Sequence, residues 1–280
     1  MRTVALLTDF GTTDVFVGVM KGVILARAPR ARMVDLTHEI PPGDVAAAAL
    51  RLWQAAPHMP KGTIYLAVVD PGVGSSRRAV AVATPSFACV GPDNGIFTFL
   101  LARQPRASVV ELPLPPAVRA TFHGRDVFAP VAARLSAGTP VGRLGSAAAG
   151  LRTLPLPRLA PEKPEAAAAP AAVRGEILLA DRFGNLVTSI GVLSAEAGFL
   201  RIDPWVPGCP QMRLEGAGFR VLLPGGRTAE VVRTFSDVAP GSLLAYIGSD
   251  GLLEIGVNQG SAAGTLGLPR GTEVVLSAAR

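Results

Sequence analysis

Asp70 ends an apolar run, Ile64 to Val69, and is followed by Pro71-Gly72-Val73-Gly74 and then by Arg77 and Arg78. The run is unbroken and rich in β-branched residues, as expected for a strand covered on both faces in a parallel sheet. The Asp-Pro pair and the two glycines force a tight turn. In open α/β sheets, ligands sit beyond the carboxyl ends of the strands. A carboxylate there, with an arginine just after a glycine turn, is a candidate catalytic site. The carboxylate would accept a proton or orient a nucleophile, and the neighbouring cation would favour its charged form. The alternative is a turn-forming Asp-Pro with two solvated arginines. Asp9 and Asp181 also stand at the ends of apolar runs, where a carboxylate can clamp a ribose diol. His123 lies in a loop before a helical segment, where a lone histidine is either structural or a further member of the site.

The elements that must position these residues follow from hydrophobic periodicity. Thr3 to Thr8 reads as a strand ending in Asp9-Phe10-Gly11. Asp14 is expected to cap a helix whose apolar stripe is Val15, Phe16, Val19, Met20, Val23 and Ile24. Met33 to Leu36 is a second strand, and Asp44 is expected to cap a helix over Val45 to Ala56. With the strand at Ile64, this β-α-β-α-β order argues for a parallel sheet with right-handed crossovers. Further strands are expected at 79–83, 87–90 and 109–112. Gly91-Pro92-Asp93-Asn94-Gly95 is a strong turn signal, and Asp126 is expected to cap a helix at 127–135. Residues 151–172 are rich in proline and alanine and read as a linker. After it, short strands at 176–180, 186–190, 220–223, 230–234, 242–247, 252–257 and 272–277 suggest a small barrel or sandwich. The expected organisation is an α/β domain over 1–150, a linker over 151–172 and an all-β domain over 173–280.

Composition sets the outer limits. The 280 residues are 49% hydrophobic and 17% charged, which argues for a globular chain. There is no uncharged apolar run of 18 or more residues, so no membrane span is expected. The apolar start is too short before Asp9 for a signal peptide, and cytoplasmic residence is the expectation. Cys89 and Cys209 lie far apart, without a disulfide framework, which fits a reducing compartment. No CxxC or histidine cluster suggests a metal. The net charge of +6 falls wholly in residues 1–150, with 15 Lys+Arg against 9 Asp+Glu. The arginines are scattered and aromatics make up only 5%, so a solvated surface is favoured over a nucleic-acid partner. Gly72-Val73-Gly74 lacks the third glycine of a dinucleotide fingerprint, because Arg77 stands there. No GK[ST] or GxSxG motif is present.

Seven segments carry a resemblance, in order and across nearly the whole chain. They are LLTDFG (6–11), DLTHEIPPGDV (35–45), VVDPGVGSSRR (68–78), GPDNG (91–95), FHGRDVFAP (122–130), DRFGNLVTS (181–189) and GSDGLLEIGVNQGSAA (248–263). Together they resemble the S-adenosylmethionine (SAM) hydroxide adenosyltransferases, relatives of the fluorinating and chlorinating enzymes. The resemblance implies a two-domain α/β plus β-barrel chain that assembles as a homotrimer with sites at subunit interfaces. It implies SAM as substrate, no cofactor and no metal, with water displacing methionine from ribose C5′ to give adenosine and L-methionine. The family's Asp-Arg-His triad falls on Asp70, Arg77 and His123, with Arg78 the adjacent alternative. Asp9 matches a ribose-binding position, and Asp14 and Asp181 match positions near the methionine end. Phe183 and Asn185 match the adenine side. Ser249, Glu254 and Val257 match the C-terminal wall. Without the resemblance, the RFGN turn would read as a hairpin and Glu254 as an outward strand residue.

The departures also inform. Gly43 and Asp70 stand where the resemblance places a tryptophan and a tyrosine in halogenating relatives. Both point to water, because a carboxylate would repel a bare halide. Ser189 replaces the asparagine common at the end of the DRFGN motif. Asp250 stands where some relatives place an arginine for the methionine carboxylate. The expected activity is SAM hydrolysis. The alternatives are a SAM-dependent halogenase and a non-catalytic adenosine-binding protein.

Overall fold

The computed structural model describes residues 2–104, 106–114, 118–162 and 172–279. The chain divides into two compact units, Met1–Pro155 and Leu156–Arg280.

The first unit runs β1 (Thr3–Thr8), α1 (Phe16–Arg27), β2 (Arg32–Thr37), α2 (Val45–Ala55), β3 (Ile64–Val68), β4 (Ala79–Ala83), β5 (Ala88–Pro92), α3 (Thr98–Leu101), β6 (Ser108–Glu111), α4 (Ala129–Ser136) and β7 (Ser146–Ala147). Its sheet has the order β2-β1-β3-β5-β4-β6-β7. The β2-β1-β3-β5 half is parallel, and β4, β6 and β7 continue it antiparallel. Every residue of β3 is buried, as its unbroken apolar run requires of a central strand. One face of the sheet, with Leu6, Leu66 and Val90, packs on Met20 and Ile24 of α1, on Leu135 of α4 and on Phe128, which immediately precedes α4. The helix α2 lies against β1 and α3. Thr8 is in register with Val68, so Asp9 and Asp70 leave the carboxyl ends of adjacent strands.

The second unit runs β8 (Leu159–Glu162), β9 (Ala172–Ala180), β10 (Leu186–Thr188), β11 (Leu193–Glu196), β12 (Phe199–Ile202), β13 (Met212–Glu215), β14 (Phe219–Leu222), β15 (Thr228–Val231), β16 (Leu243–Ile247), β17 (Leu253–Val257), α5 (Ala262–Leu266) and β18 (Glu273–Ala278). Seven strands close in the order β9-β10-β17-β16-β15-β14-β18 and back to β9. Closure removes the free edges that an open sheet would expose. The strands β11, β12 and β13 form a separate antiparallel sheet.

Several local expectations are corrected. Asp14 does not cap α1: the N-cap is Val15, with no side-chain cap bond. Asp126 is not a cap either. It lies inside a wide π-helical turn, Gly124–Phe128, that precedes α4. Asp44 does cap α2, its Oδ1 accepting from the Ala47 N–H at 2.9 Å. Within the stretch read as a linker, Leu159–Glu162 forms β8 and pairs with β9. Its alanine-rich part, 163–171, lies outside the described residues. The β11-β12-β13 sheet was not anticipated, because its strands are only four residues long and lie between Gly and Pro turns.

Among the described residues, no helix is long and apolar enough to cross a membrane. Gly91 in β5 lies hard against β3: a Cβ there would stand 2.3 Å from the Ala67 carbonyl oxygen and 3.0 Å from the Phe97 ring. Backbone cannot yield as a flexible side chain does, so Gly91→Ala is expected to cost about 1–3 kcal/mol or more. A lowered urea midpoint with an unchanged slope would show it. An unchanged midpoint would mean that the two strands separate more easily than this contact implies.

Candidate active site

The turn after β3 folds back on itself. Val73 N–H donates to the Asp70 carbonyl at 3.2 Å, and Ser75 Oγ donates to the Gly72 carbonyl at 2.7 Å. Arg77 N–H in turn donates to Ser75 Oγ at 3.2 Å. The glycines make this path possible. A Cβ on Gly72 would stand 3.3 Å from Arg77 Cγ. Gly74 has φ +78°, and a Cβ there would stand 2.7 Å from the Ala120 carbonyl oxygen. This close approach brings the segment leading to His123 alongside the turn.

The result is a chain of three side chains. Arg77 Nε donates to Asp70 Oδ1 at 2.9 Å, and Arg77 Nη2 donates to Asp70 Oδ2. Arg77 Nη2 also meets His123 Nδ1 at 2.9 Å. A guanidinium has no acceptor, so Nδ1 must accept and the neutral ring carries its proton on Nε2. The Arg77 and Asp70 side chains are only 6% and 5% exposed, and His123 is buried. Burial, and then the Arg77 charge, pull the His123 pKa below its ordinary value, against an opposing pull from Asp70 and Asp126. The Arg77 guanidinium also lies over the Phe128 ring, 5.3 Å from its centroid. Arg77 Nη1 is buried with no partner among the described residues. Arg78 is turned elsewhere, donating to Asp93 Oδ2 at 2.9 and 2.5 Å. The structure therefore pairs Arg77, not Arg78, with Asp70.

Asp70 and His123 line a cavity of about 550 Å³, together with Asp9, Gly43 and Val68. Asp9 Oδ2 accepts from the Gly43 N–H at 2.8 Å. Gly43 has φ +74°, so a side chain there would be strained. Phe10, Phe16 and Phe122 form one wall, packed edge to face with centroids 5.4–6.0 Å apart. Sequence reasoning missed this wall, although Phe10 adjoins Asp9 and Phe122 adjoins His123. Asp14 lies outside this cavity, in a separate depression with Lys21, Asp35 and His38. In that depression partial burial raises the Asp35 pKa, but the Lys21 ammonium, 2.6 Å away, and then His38 together outweigh it and leave the carboxyl below its ordinary value.

The remaining expected positions belong to the second unit. Asp181 organises its own turn: Oδ1 accepts from Phe183 N–H at 2.9 Å and Asn185 N–H at 2.8 Å, and Oδ2 from Asn185 Nδ2 at 3.0 Å. That turn leaves Phe183 78% exposed, while Asn185 is buried. Glu254 accepts from the Tyr246 hydroxyl, whose pKa is pushed up by burial and by that carboxylate. Val257 is buried at the end of β17, and Ser249 is exposed in the turn between β16 and β17. Ser189 is wholly buried, accepting from Glu176 N–H at 2.9 Å and donating to the Arg158 carbonyl. Among the described residues, no group of three or more His, Cys, Asp or Glu could hold a metal ion.

Two family models match, the SAM hydroxide adenosyltransferase N-terminal domain over residues 4–145 and its C-terminal domain over 175–275. The chain belongs to this family. It is 42% identical to an (R)-S-adenosyl-L-methionine hydrolase of Thermus thermophilus, over 99% of this chain and 100% of the relative. A fluorinase of an Actinoplanes species is more distant, 27% identical over 99% of this chain and 97% of its own. The crystal structure of an uncharacterized conserved protein from Thermotoga maritima matches with a TM-score of 0.81 and 34% identity, covering 98% of this chain and 99% of that one.

The His123 environment generates a prediction. Its folded pKa lies below 6.5, so the unfolded chain takes up the proton first as pH falls. The stability that neutral His123 contributes is complete above 6.5 and is lost as pH drops through the lower folded value. Urea midpoints of wild type and His123→Gln should therefore converge as pH falls through this window. A difference that stays constant with pH would contradict a neutral, arginine-bonded imidazole.

Proposed function

We propose that this chain hydrolyses SAM to adenosine and L-methionine by in-line attack of water on ribose C5′, with Asp70, Arg77 and His123 as the catalytic residues. The observation that carries this reading is the buried carboxylate–guanidinium–imidazole chain, with Asp70 and His123 lining a cavity, in a member of this family. A sulfonium leaving group is already activated and needs no protonation. What the reaction needs is a water held in line with the C5′–S bond, away from bulk solvent. The water oxygen bonds to C5′, the C5′–S bond breaks, and its electron pair leaves with the methionine thioether. Asp70 takes the proton lost by the water and passes it to solvent. Arg77 fixes the orientation of Asp70 and, by donating to Nδ1, keeps His123 neutral with its proton on Nε2. His123 then acts as a donor that positions the water rather than as the base.

In this reading Asp9 grips the ribose hydroxyls, and Asp14 and Asp181 serve the methionine end. Phe183 and Asn185 take the adenine, with Ser249, Glu254 and Val257 as the remaining wall. The chain acts as a homotrimer with sites at subunit interfaces, which the outward Phe183 and the exposed Val15, Phe16 and Val34 support. The two free thiols, Cys89 and Cys209, fit residence in the cytoplasm. No cofactor is part of the scheme. The Asp70 carboxylate, which would repel a bare halide, favours water as the nucleophile.

The test is chromatography of products from each sulfonium epimer of SAM, with Asp70→Asn run in parallel. Equal amounts of adenosine and methionine are expected, from the (R) epimer above all. The variant should lose about 10²-fold or more in kcat, the usual scale of a general base. Adenosine retained without turnover would instead favour a binding protein. A halogenated nucleoside formed in chloride or fluoride would favour a halogenase.

A further inference from the structure

The GPDNG turn, residues 91–95, lines no part of the cavity, yet it is bonded to both flanks of the Asp70–Arg77 pair. Asn94 Nδ2 donates to the Val69 carbonyl at 2.9 Å, the peptide immediately before Asp70. Its Oδ1 accepts from the Ile96 N–H at 3.2 Å, which fixes the amide orientation. Asp93 N–H donates to the Arg78 carbonyl at 3.0 Å, immediately after Arg77. The Asp93 carboxylate holds the Arg78 guanidinium on Oδ2 and accepts from the Arg152 N–H on Oδ1 at 2.7 Å. Asp93 is only 3% exposed, so these bonds form away from water.

The turn itself is immobilised. Gly91 abuts the Ala67 carbonyl, and Gly95, at φ +97°, lies where a Cβ would stand 2.8 Å from Leu154 Cγ. The loop that it flanks is the opposite case. Val73 to Ser76 are exposed, and Val69 lies beyond the last β1–β3 register pair, Thr8 with Val68. An exposed loop cannot by itself hold two side chains to the tolerance that an in-line displacement demands, where about 1 Å is worth about 10²-fold in rate.

We propose that Asn94 and Asp93 are positioning residues for the reacting pair, Asn94 acting through Val69 on Asp70 and Asp93 acting through Arg78 on Arg77. The kinetic part of the proposal rests on the hydrolase reading above.

Asn94→Asp tests it, because the new side chain keeps an acceptor for Ile96 N–H and loses the donor to Val69. The expected result is a kcat lower by about ten- to a hundredfold with KM for SAM unchanged. A second readout needs no turnover. The imidazole nitrogen resonances of His123 should move from the Nε2–H tautomer toward a mixture, as Arg77 loses its grip on Nδ1. The charged neighbours that act on this ring are Arg77, Asp70 and Asp126. A folded Asn94→Asp protein with wild-type kcat and a wild-type His123 signature would overturn the proposal. If wild type itself fails to turn over SAM, the hydrolase reading fails, and the His123 signature alone decides this one. If Asn94→Asp does not fold, Arg78→Lys replaces it. That variant keeps a cation for Asp93 but not the fork, and the same two readouts must move in it or the proposal falls.

Discussion

A carboxylate and a guanidinium, both almost wholly withdrawn from water, hold each other at the end of β3, and the surrounding structure is arranged to keep them there. Such a pair is a poor device for stability. Desolvating two charges costs several kcal/mol per ion, and an apolar pair of similar volume often serves a fold as well or better. Once present, though, it makes firm demands. Each partner must stay, because leaving either charge buried alone costs about 3–5 kcal/mol. The turn between them must be short and glycine-rich, and the imidazole beside Arg77 must be neutral. The wide π-helical turn that follows His123 is of a kind often found at functional sites.

The same constraint explains the sheet around the pair. Asp9 and Asp70 emerge side by side because β1 and β3 are parallel neighbours whose ends are in register. Their strands are buried on both faces, so neither can slip without exposing a full set of apolar side chains. The cavity then has carboxylates along one side and the Phe10, Phe16 and Phe122 rings along another. That combination suits a ligand with both a cationic centre and flat or apolar parts.

The second unit works by different means. Its barrel is closed; of the positions proposed for ligand binding, Asp181, Phe183, Asn185 and Ser249 lie on turns between strands, while Glu254 and Val257 lie on β17. Asp181 shows how such a turn is made: its carboxylate binds three N–H groups of the next four residues, and the aromatic between them is left outward. Read as sequence, DRFGN looks like a hairpin, and locally it is one. The carboxylate fixes the shape of the turn, and the shape presents Phe183.

Periodicity determined most of the elements here. The long apolar run of β3, the Asp44 cap and the alternating strands of the barrel are local properties, and each is readable from its own few residues. Asp14 and Asp126 misled for the opposite reason: both have the chemistry of a cap, but the helix starts were settled by packing of Val17, Met20 and Phe128 into the core. The seven motifs also carried the family, because a chain of residue types in order survives without coordinates. Only the tertiary structure decided which arginine faces Asp70, which proton His123 carries, and that the GPDNG turn grips both flanks of the pair. Those facts join residues 7 to 59 positions apart. Sequence adjacency makes Arg77 and Arg78 nearly equivalent, whereas successive residues of an extended chain point to opposite sides, one toward Asp70 and one toward Asp93.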